Sequence, residues 1–192
     1  MAIEADLVLE DGSGIPTANT YALVATADAY HSLYSNSAWT TGPTNDEKAT
    51  ALIAGTQYLD LRWEFAGELA NPTTASAPGQ ALKWPRDDGG LSLYDAQRNE
   101  IPADSIPRQV VEATLEYALV FIVSGRLLPD PTVPDDAGRF VTLSREKLGP
   151  LESETRYSDT RAVTVTRKYA LADRIMKQSG LVLRSSAKAI RA

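Results

Sequence analysis

The residue types that most often carry chemistry are sparse in this chain. His31 is its only histidine and it has no cysteine, so a Ser-His-Asp triad would have to use His31. No G-x-S-x-G motif accompanies that residue, and its place within a predicted helix favours a surface or partly buried helical side chain. A single histidine also leaves a zinc site without enough ligands. We therefore expect no catalytic residue and no metal site.

The carboxylates are abundant, but no pair of them stands out as an acid–base or Mg²⁺ site. Asp46-Glu47 fits the first turn of a helix, where the helix dipole favours negative charge. Asp87-Asp88 and Asp135-Asp136 lie in predicted loops, where solvated acids are the default. Gly12-Ser13-Gly14 lacks the Lys-Ser/Thr of a phosphate-binding P-loop. We expect no cofactor, and we expect that the chain is not an enzyme.

The basic residues are concentrated toward the C-terminal end. From Arg161 to Ala192 there are eight basic residues against one acid, Asp173, whereas residues 1–160 hold 11 basic and 24 acidic residues. The body therefore carries about −13 and the tail +7 of the total charge of −6. Because binding to phosphate backbones depends on clustered Lys and Arg, the acidic body argues against nucleic acid as the main partner. The pattern predicts an interaction arm on an acidic platform.

Aromatic residues could in principle supply surfaces on which nucleotide bases stack. Few Lys or Arg residues surround them, and most sit near helix ends or at helical spacing, so core packing is the favoured interpretation. Base stacking stays open as the alternative. The residues are Trp39, Trp63, Trp84, Tyr21, Tyr30, Tyr34 and Tyr58.

The bulk properties predict a soluble, cytosol-made protein with one good core. Hydrophobic residues make up 43% of the chain and charged residues 23%, which is ordinary for a globular domain. The first residues do not form the basic and then apolar pattern of a signal peptide. The longest apolar run, Tyr117–Val123, is far shorter than the roughly 20 residues that span a bilayer.

Hydrophobic spacing predicts a mainly α fold, a helical bundle with a short N-terminal β element around Leu7–Leu9 and Thr20–Val24. A first helix follows Thr26 as its cap, with Ala29, Tyr30, Leu33 and Tyr34 on its apolar stripe. A second helix follows Asn45. A third helix opens at Pro107 and ends at Gly125. Its segment Val110–Val123 is almost wholly apolar, which predicts the central core element.

The C-terminal third is predicted to be less compact. A helical core domain at 1–127 is followed by a Pro/Asp-rich linker loop at 128–139, a protruding β-hairpin at 140–158 and a basic helix with an extended arm at 159–192. The hairpin is polar on both faces, so we expect its edge to pair with a neighbouring subunit. The residues assigned to this contact are Arg145, Lys147, Leu148, Gly149, Pro150 and Leu151.

The basic helix is predicted at about Thr166–Ser179, with Gly180 as its end. Tyr169, Ile175 and Met176 fall on its apolar side, and we expect that side to dock in a groove of a partner protein. Leu181-Val182-Leu183 is predicted to be a short extended or docking segment. Deletion of residues 166–192 is then expected to leave a folded domain. A solvated helix face is the alternative.

Six short segments, found in a consistent order within residues 7–157, carry a family resemblance. They are Glu10-Asp11-Gly12-Ser13-Gly14, Ala18-Asn19-Thr20-Tyr21, Ala27-Asp28-Ala29-Tyr30, Ala81-Leu82-Lys83-Trp84-Pro85-Arg86, Ile106-Pro107 and Arg145-Glu146-Lys147-Leu148-Gly149-Pro150-Leu151-Glu152. Together they resemble a tailed-bacteriophage family. Members are often labelled "putative DnaT-like single-stranded DNA-binding protein", and others resemble the head–tail connector, or adaptor, proteins that form a ring beneath the portal.

The two labels imply opposite charge patterns. A single-stranded DNA-binding replication accessory protein needs a basic, aromatic surface, whereas an adaptor ring has a channel through which DNA passes without sticking. An acidic body suits such a channel. Charge therefore favours the adaptor, and DNA binding is the alternative.

On the adaptor interpretation, the resemblance implies a homo-oligomeric ring of about a dozen subunits. The implied partners are the portal protein, a tail-side neck, stopper or tail-terminator protein, and passing double-stranded DNA without specific binding, with no membrane. The implied location is the neck of the virion, after synthesis in the bacterial cytoplasm. The residues assigned to portal docking are Arg167, Lys168, Tyr169, Arg174, Ile175, Met176, Lys177, Leu181, Leu183 and Arg184.

Overall fold

The computed structural model describes residues 4–75, 77–125, 141–147, 152–157 and 169–183. Contacts divide the chain into two units, one of Met1–Leu127 with Tyr169–Ala192 and one of Leu128–Lys168. The first unit therefore unites the N-terminal two thirds of the chain with the described part of the basic tail.

The described residues are mainly helical, as the sequence predicts. The helices are α1 (Val24–Leu33), α2 (Ser37–Thr40), α3 (Asn45–Arg62), α4 (Arg108–Ser124) and α5 (Ala170–Ser179). The strands are β1 (Glu68–Leu69), β2 (Arg86–Asp87), β3 (Leu93–Tyr94), β4 (Glu100–Ile101), β5 (Val141–Lys147) and β6 (Glu152–Tyr157), which form three two-stranded antiparallel sheets. None of the described helices is long and apolar enough to cross a bilayer.

Local signals account for the main helix ends. Thr44 caps α3, because its hydroxyl accepts from the Glu47 N–H at 3.3 Å and the Glu47 carboxylate accepts from the Thr44 N–H at 2.7 Å. This capping box satisfies two backbone donors that a helix start leaves free. It places the cap one residue before the predicted Asn45. Pro107 and Gly125 bound α4, as predicted.

The first helix starts earlier than predicted. It begins at Val24 and has Leu23 rather than Thr26 at its N-cap. Leu33 and Tyr34, assigned to its apolar stripe, are 83% and 61% exposed. The buried face of α1 is instead formed by Val24, Ala27 and His31. Ala29 is exposed as well, so only Tyr30 of the predicted stripe packs against the core. His31 is 0% exposed, so the expectation of a surface or partly buried histidine was wrong.

Helix α4 is the central element, as predicted, and it separates two hydrophobic clusters. Tyr117 belongs to a cluster with α5, whereas Leu115 belongs to a cluster with α1 and α2. Two residues along a helix correspond to a rotation of roughly 200° about its axis, so the two side chains point to nearly opposite sides. The α1–α2 side and the α5 side therefore lie on opposite faces of α4.

The N-terminal β element is reduced to one parallel bridge between Leu9 and Thr20. The loop after it is organised by Glu10, which is 1% exposed. The Glu10 carboxylate accepts hydrogen bonds from the N–H groups of Gly12, Gly14 and Ile15 at 2.7–3.0 Å. This acid is a buried loop organiser rather than a solvated group.

The predicted hairpin is confirmed in the second unit. Strands β5 and β6 pair antiparallel over six register positions, from Val141 opposite Tyr157 to Lys147 opposite Glu152. A register irregularity falls between Val141 and Leu143, as a β-bulge would produce.

Candidate functional site: the C-terminal helix and its outer face

Helix α5 has one buried face and one exposed face. Ala172, Asp173, Met176 and Ser179 are buried, at spacings that fall on a single side of a helix. Met176 is fully buried in the cluster that also holds Tyr58 and Tyr117. Gly180 ends the helix with φ +78°, a left-handed conformation that glycine adopts without strain.

A buried ion pair fastens α5 to α3. Asp173 Oδ2 lies 2.6 Å from Arg62 Nη2, with side-chain exposures of 5% and 12%. Tyr117 donates its hydroxyl to Asp173 Oδ1 at 2.8 Å, and the Tyr169 N–H donates to Oδ2 at 3.2 Å. Burial alone would lower the pKa of Arg62, but the hydrogen bond and charge of Asp173 raise it above the ordinary value. Arg62 therefore stays charged and paired with Asp173.

Aromatic rings surround this ion pair. Tyr58, Tyr117 and Tyr169 contact one another edge to face, with centroid distances of 4.9–5.7 Å, a geometry favoured by ring quadrupoles. The Arg62 guanidinium lies 5.6 Å from the Tyr58 ring and 5.3 Å from the Trp63 ring. Burial raises the pKa of Tyr117, and its bond to Asp173 adds to that shift. Tyr117 is therefore a neutral hydrogen-bond donor across the working pH range.

The outer face of α5 offers both charge and apolar area. Leu171 is 54% exposed, and Arg174 and Lys177 are exposed beside it. Neither cation has an ion-pair partner within the described ranges. We call Leu171, Arg174 and Lys177 the outer face. It is the part of the predicted docking helix that is open to a partner.

The structure corrects the assignment of the inner face. Tyr169, Met176 and Leu181 were assigned to the portal-docking surface, yet they are 7%, 0% and 1% exposed in the chain's own core. Their apolar area is already covered by Tyr58, Tyr117 and neighbouring residues, so it is closed to a partner while the helix stays in place. For the same reason, a chain without residues 166–192 is no longer expected to stay folded, because the deletion removes part of the core.

The other predicted docking residues fall into two groups. Ile175 is partly buried and packs against the core, whereas Leu183 is 56% exposed and donates its N–H to the Glu64 carbonyl at 2.8 Å. Arg167, Lys168 and Arg184 lie outside the described residues.

The structure locates two of the six predicted inter-subunit hairpin residues. Arg145 and Lys147 lie in β5, at register positions opposite Glu154 and Glu152. The remaining four, Leu148, Gly149, Pro150 and Leu151, lie outside the described residues, so the inter-subunit role of the hairpin stays a prediction.

The described part of the first unit is strongly acidic. Residues 4–75, 77–125 and 169–183 contain eight Lys or Arg against 18 Asp or Glu, a formal charge of −10. Five of the eight cations have partners within these ranges: Lys48, Arg62 and Arg108 form ion pairs, and Lys83 and Arg86 donate to main-chain carbonyls. This leaves Arg98, Arg174 and Lys177 without such a partner. Three cations on two elements do not make the basic groove that a nucleic-acid strand requires.

Most of the aromatic residues considered for base stacking belong to the core. Trp39 and Trp84 are 0% exposed, and Tyr21 and Tyr58 are 2% and 6% exposed. Tyr34 is 61% exposed, and Tyr30 and Trp63 are partly buried. A buried ring cannot receive a base, so core packing is confirmed for these four residues.

Sequence reasoning missed the role of Asp60. Its carboxylate accepts from the Tyr21 hydroxyl at 2.9 Å and from the Lys83 N–H at 3.0 Å. The Tyr21 hydroxyl in turn accepts from the Trp84 N–H at 3.1 Å. Burial raises the pKa of Asp60 to about 6. The Thr20-Tyr21 and Ala81–Arg86 segments, which carried the family resemblance, are therefore joined structurally. Asp60 itself falls in no recognisable pattern.

The described residues hold no group of three or more His, Asp or Glu placed to bind a metal ion. Their fold and charge define a small, mainly helical protein whose C-terminal helix is fastened to an acidic body by a buried ion pair.

A family model described as "Putative DnaT-like ssDNA binding protein" matches residues 5–192. Because this match spans nearly the whole sequence, the chain belongs to that family. No curated protein and no solved structure matches the chain. The DnaT-like part of the expected resemblance is thus confirmed, whereas the head–tail connector part stays a prediction.

Proposed function

We propose that the chain is a non-enzymatic head–tail adaptor of a tailed bacteriophage. In this role it assembles as a ring below the portal, joins the capsid to the tail-side neck proteins and lets double-stranded DNA pass. The observation that carries the proposal is the charge of the first unit, −10 over its described residues. A repeated acidic surface repels a polyanion, as a passage for DNA requires.

The outer face of α5 is the proposed contact with the portal protein. The ion pair between Arg62 and Asp173 fixes the helix on the body, so the outer face is presented in one orientation. Arg174 and Lys177 supply charge, and Leu171 supplies apolar area. A partner with an apolar groove edged by acids complements this face. In the sequence, Arg167 and Lys168 precede α5 and carry two further positive charges.

Binding of the purified chain to portal particles tests this contact. Lys177→Glu should weaken binding about tenfold, and the Arg174→Glu/Lys177→Glu double variant should weaken it further, because each reversal turns attraction into repulsion. Arg98→Glu is the matched control, since it makes the same charge change at an exposed cation on the β3–β4 turn. If Arg98→Glu and Lys177→Glu weaken binding equally, the outer face is not the contact. Full binding by the double variant contradicts the assignment outright.

Single-stranded DNA binding is the second candidate, and the description of the matched family favours it. On this alternative, the strand contacts the basic residues from Arg161 onward, because most cations of the body already have partners. The affinity of such a complex for a single strand falls with salt in proportion to the number of phosphates neutralised, with a log–log slope of about −0.7 per contact.

Fluorescence anisotropy of a labelled oligonucleotide at two salt concentrations separates the two candidates. The adaptor proposal predicts weak binding that is little changed by Arg174→Glu/Lys177→Glu. Tight binding that falls steeply with salt, and that is lost when the basic residues after Arg161 are neutralised, supports the DNA-binding alternative.

A further inference from the structure

An open apolar cleft lies where the start of α3 meets the end of α4. It measures about 410 Å³ and is lined by Gly42, Pro43, Glu47, Thr50, Phe121, Ile122 and Gly125. Phe121 and Ile122 are only partly buried, and the adjacent Val123 is 68% exposed. Apolar surface of this kind, open to solvent at a helix junction, marks an interaction site.

One acidic residue lines the same cleft, and two others lie near it at the start of α3. Glu47 is the one charged residue among its described lining residues. Asp46 lies next to it and accepts from the Glu4 N–H at 2.9 Å, and the Glu4 carboxylate accepts from Asn45 at 2.9 Å. Three carboxylates therefore gather at the start of α3. The one nearby lysine in the sequence of α3, Lys48, is buried and paired with Asp28 at 2.8 Å.

The segment that follows the last described residue has the complementary pattern. Leu183, Ala187 and Ile190 recur at spacings of four and three, and Arg184, Lys188 and Arg191 recur at the same spacings one position later. This spacing is typical of a segment that presents apolar and basic residues along one side. Its apolar stripe matches the cleft, and its cations match the carboxylates at the start of α3.

Distance decides which copy of the segment can fill the cleft. Leu183 is held at Glu64, beyond the C-terminal end of α3, whereas Thr50 lies 12 residues before Arg62, about 18 Å along the helix axis. Ala187 follows Leu183 by four residues, which span about 14 Å even when fully extended. Ala187, in the middle of the segment, therefore falls short of Thr50 in its own chain.

We propose that residues 184–191 of one copy dock in the α3–α4 cleft of a second copy, with the cations of the segment against Glu4, Asp46 and Glu47. The two contacting surfaces differ, so the contact is head to tail and propagates from copy to copy. Such a contact closes into a ring when its rotation closes. The inference uses the purified chain alone and does not depend on portal binding.

Disulfide trapping in the full-length chain tests the contact, since the chain contains no cysteine. Thr50→Cys and Ala187→Cys variants are mixed and oxidised in air, and linked peptides are identified by mass spectrometry. A disulfide requires Cα atoms within about 7 Å. Gln57→Cys is the matched control, because it is exposed on the same helix about 10 Å further along. Pro43→Cys is a second lining position in case Thr50→Cys perturbs α3.

The proposal predicts that linkage of Ala187→Cys to the cleft positions is about tenfold faster than linkage to Gln57→Cys. Reversal of Arg184, Lys188 and Arg191 to Glu should remove this preference. Equal rates at cleft and control positions, or a preference that survives charge reversal, overturns the proposal. A Thr50→Cys/Ala187→Cys double variant that links within one chain at high dilution also overturns it, because it shows that the segment fills its own cleft.

Discussion

Helices α1 and α5 are each ten residues long and lie on opposite sides of α4, but they are held in different ways. Helix α1 buries Val24, Ala27 and His31, while Leu33 at its end stays 83% exposed. Helix α5 buries a methionine and a carboxylate, and the carboxylate is paired with an arginine of α3.

The comparison shows that an apolar stripe indicates which face of a helix will be buried, but not what that face packs against. On α1, the buried face is formed by Val24, Ala27 and His31, and Leu33 is left outside. On α5, the ion pair and the aromatic rings hold the apolar stripe in the chain's own core. The outer face, which carries the charges, is therefore the side that other molecules can contact. The same sequence pattern thus has opposite consequences on the two sides of α4.

The largest expected effect comes from removal of α5. A chain ended at Lys168 lacks Tyr169, Met176 and Leu181, which are all buried in the core. Loss of several large buried side chains exceeds the 5–15 kcal/mol, roughly, that stabilises a domain. We expect no cooperative unfolding transition in urea followed by circular dichroism. An unchanged transition midpoint would contradict the placement of α5.

Asp173→Ala breaks the ion pair without removing the helix. It leaves Arg62 buried and unpaired and takes the acceptor from the Tyr117 hydroxyl. Removal of one partner of a buried pair costs about 3–5 kcal/mol. Arg174→Ala, one residue away on the outer face, is the control, with an expected change within about 0.5 kcal/mol. Equal effects in chemical denaturation would show that the pair does not hold α5.

The apolar residues of the two helices give the next contrast. Met176→Ala leaves a cavity in the core and should lower the free energy of unfolding by about 2–5 kcal/mol. Leu33→Ala removes an 83% exposed side chain and should change it by less than about 0.5 kcal/mol. A large loss in Leu33→Ala would place that residue in a contact outside the described residues.

Acid should weaken the α1 side through His31. Burial lowers the pKa of His31 to about 4, although the charge of Asp28 opposes the shift. The unfolded chain takes up the proton near pH 6.5, so His31 favours the fold above that pH and this contribution is lost as the pH falls toward 4. Relative to pH 7, the loss at pH 5 is about 2 kcal/mol.

The contribution of His31 is isolated by comparing the parent chain with His31→Gln across this pH range. Asp60, whose pKa is raised to about 6 by burial, gives a dependence of opposite sign that is common to both proteins. The free energy of unfolding of the parent chain minus that of His31→Gln should therefore fall by about 2 kcal/mol from pH 7 to pH 5. A difference that is independent of pH would show that His31 is protonated equally in both states.

Sequence reasoning succeeded where the signal is local. Pro107 and Gly125 bound α4 because one fixes the backbone entry and the other adopts φ +69°. The hairpin strands were likewise readable from their alternation. Long-range burial of polar groups was not readable, because Asp60 and Asp173 acquire their partners from segments distant in sequence. The outer face could be identified only from the structure, because the burial of Asp173 shows which side of α5 faces the core.

Electron microscopy of the purified chain, alone and mixed with portal particles, tests the central claim most directly. The adaptor proposal predicts closed rings that stack coaxially on the portal, with the outer face of α5 at the junction. Portal particles that stay bare, together with a chain that instead coats added single-stranded DNA, would contradict it.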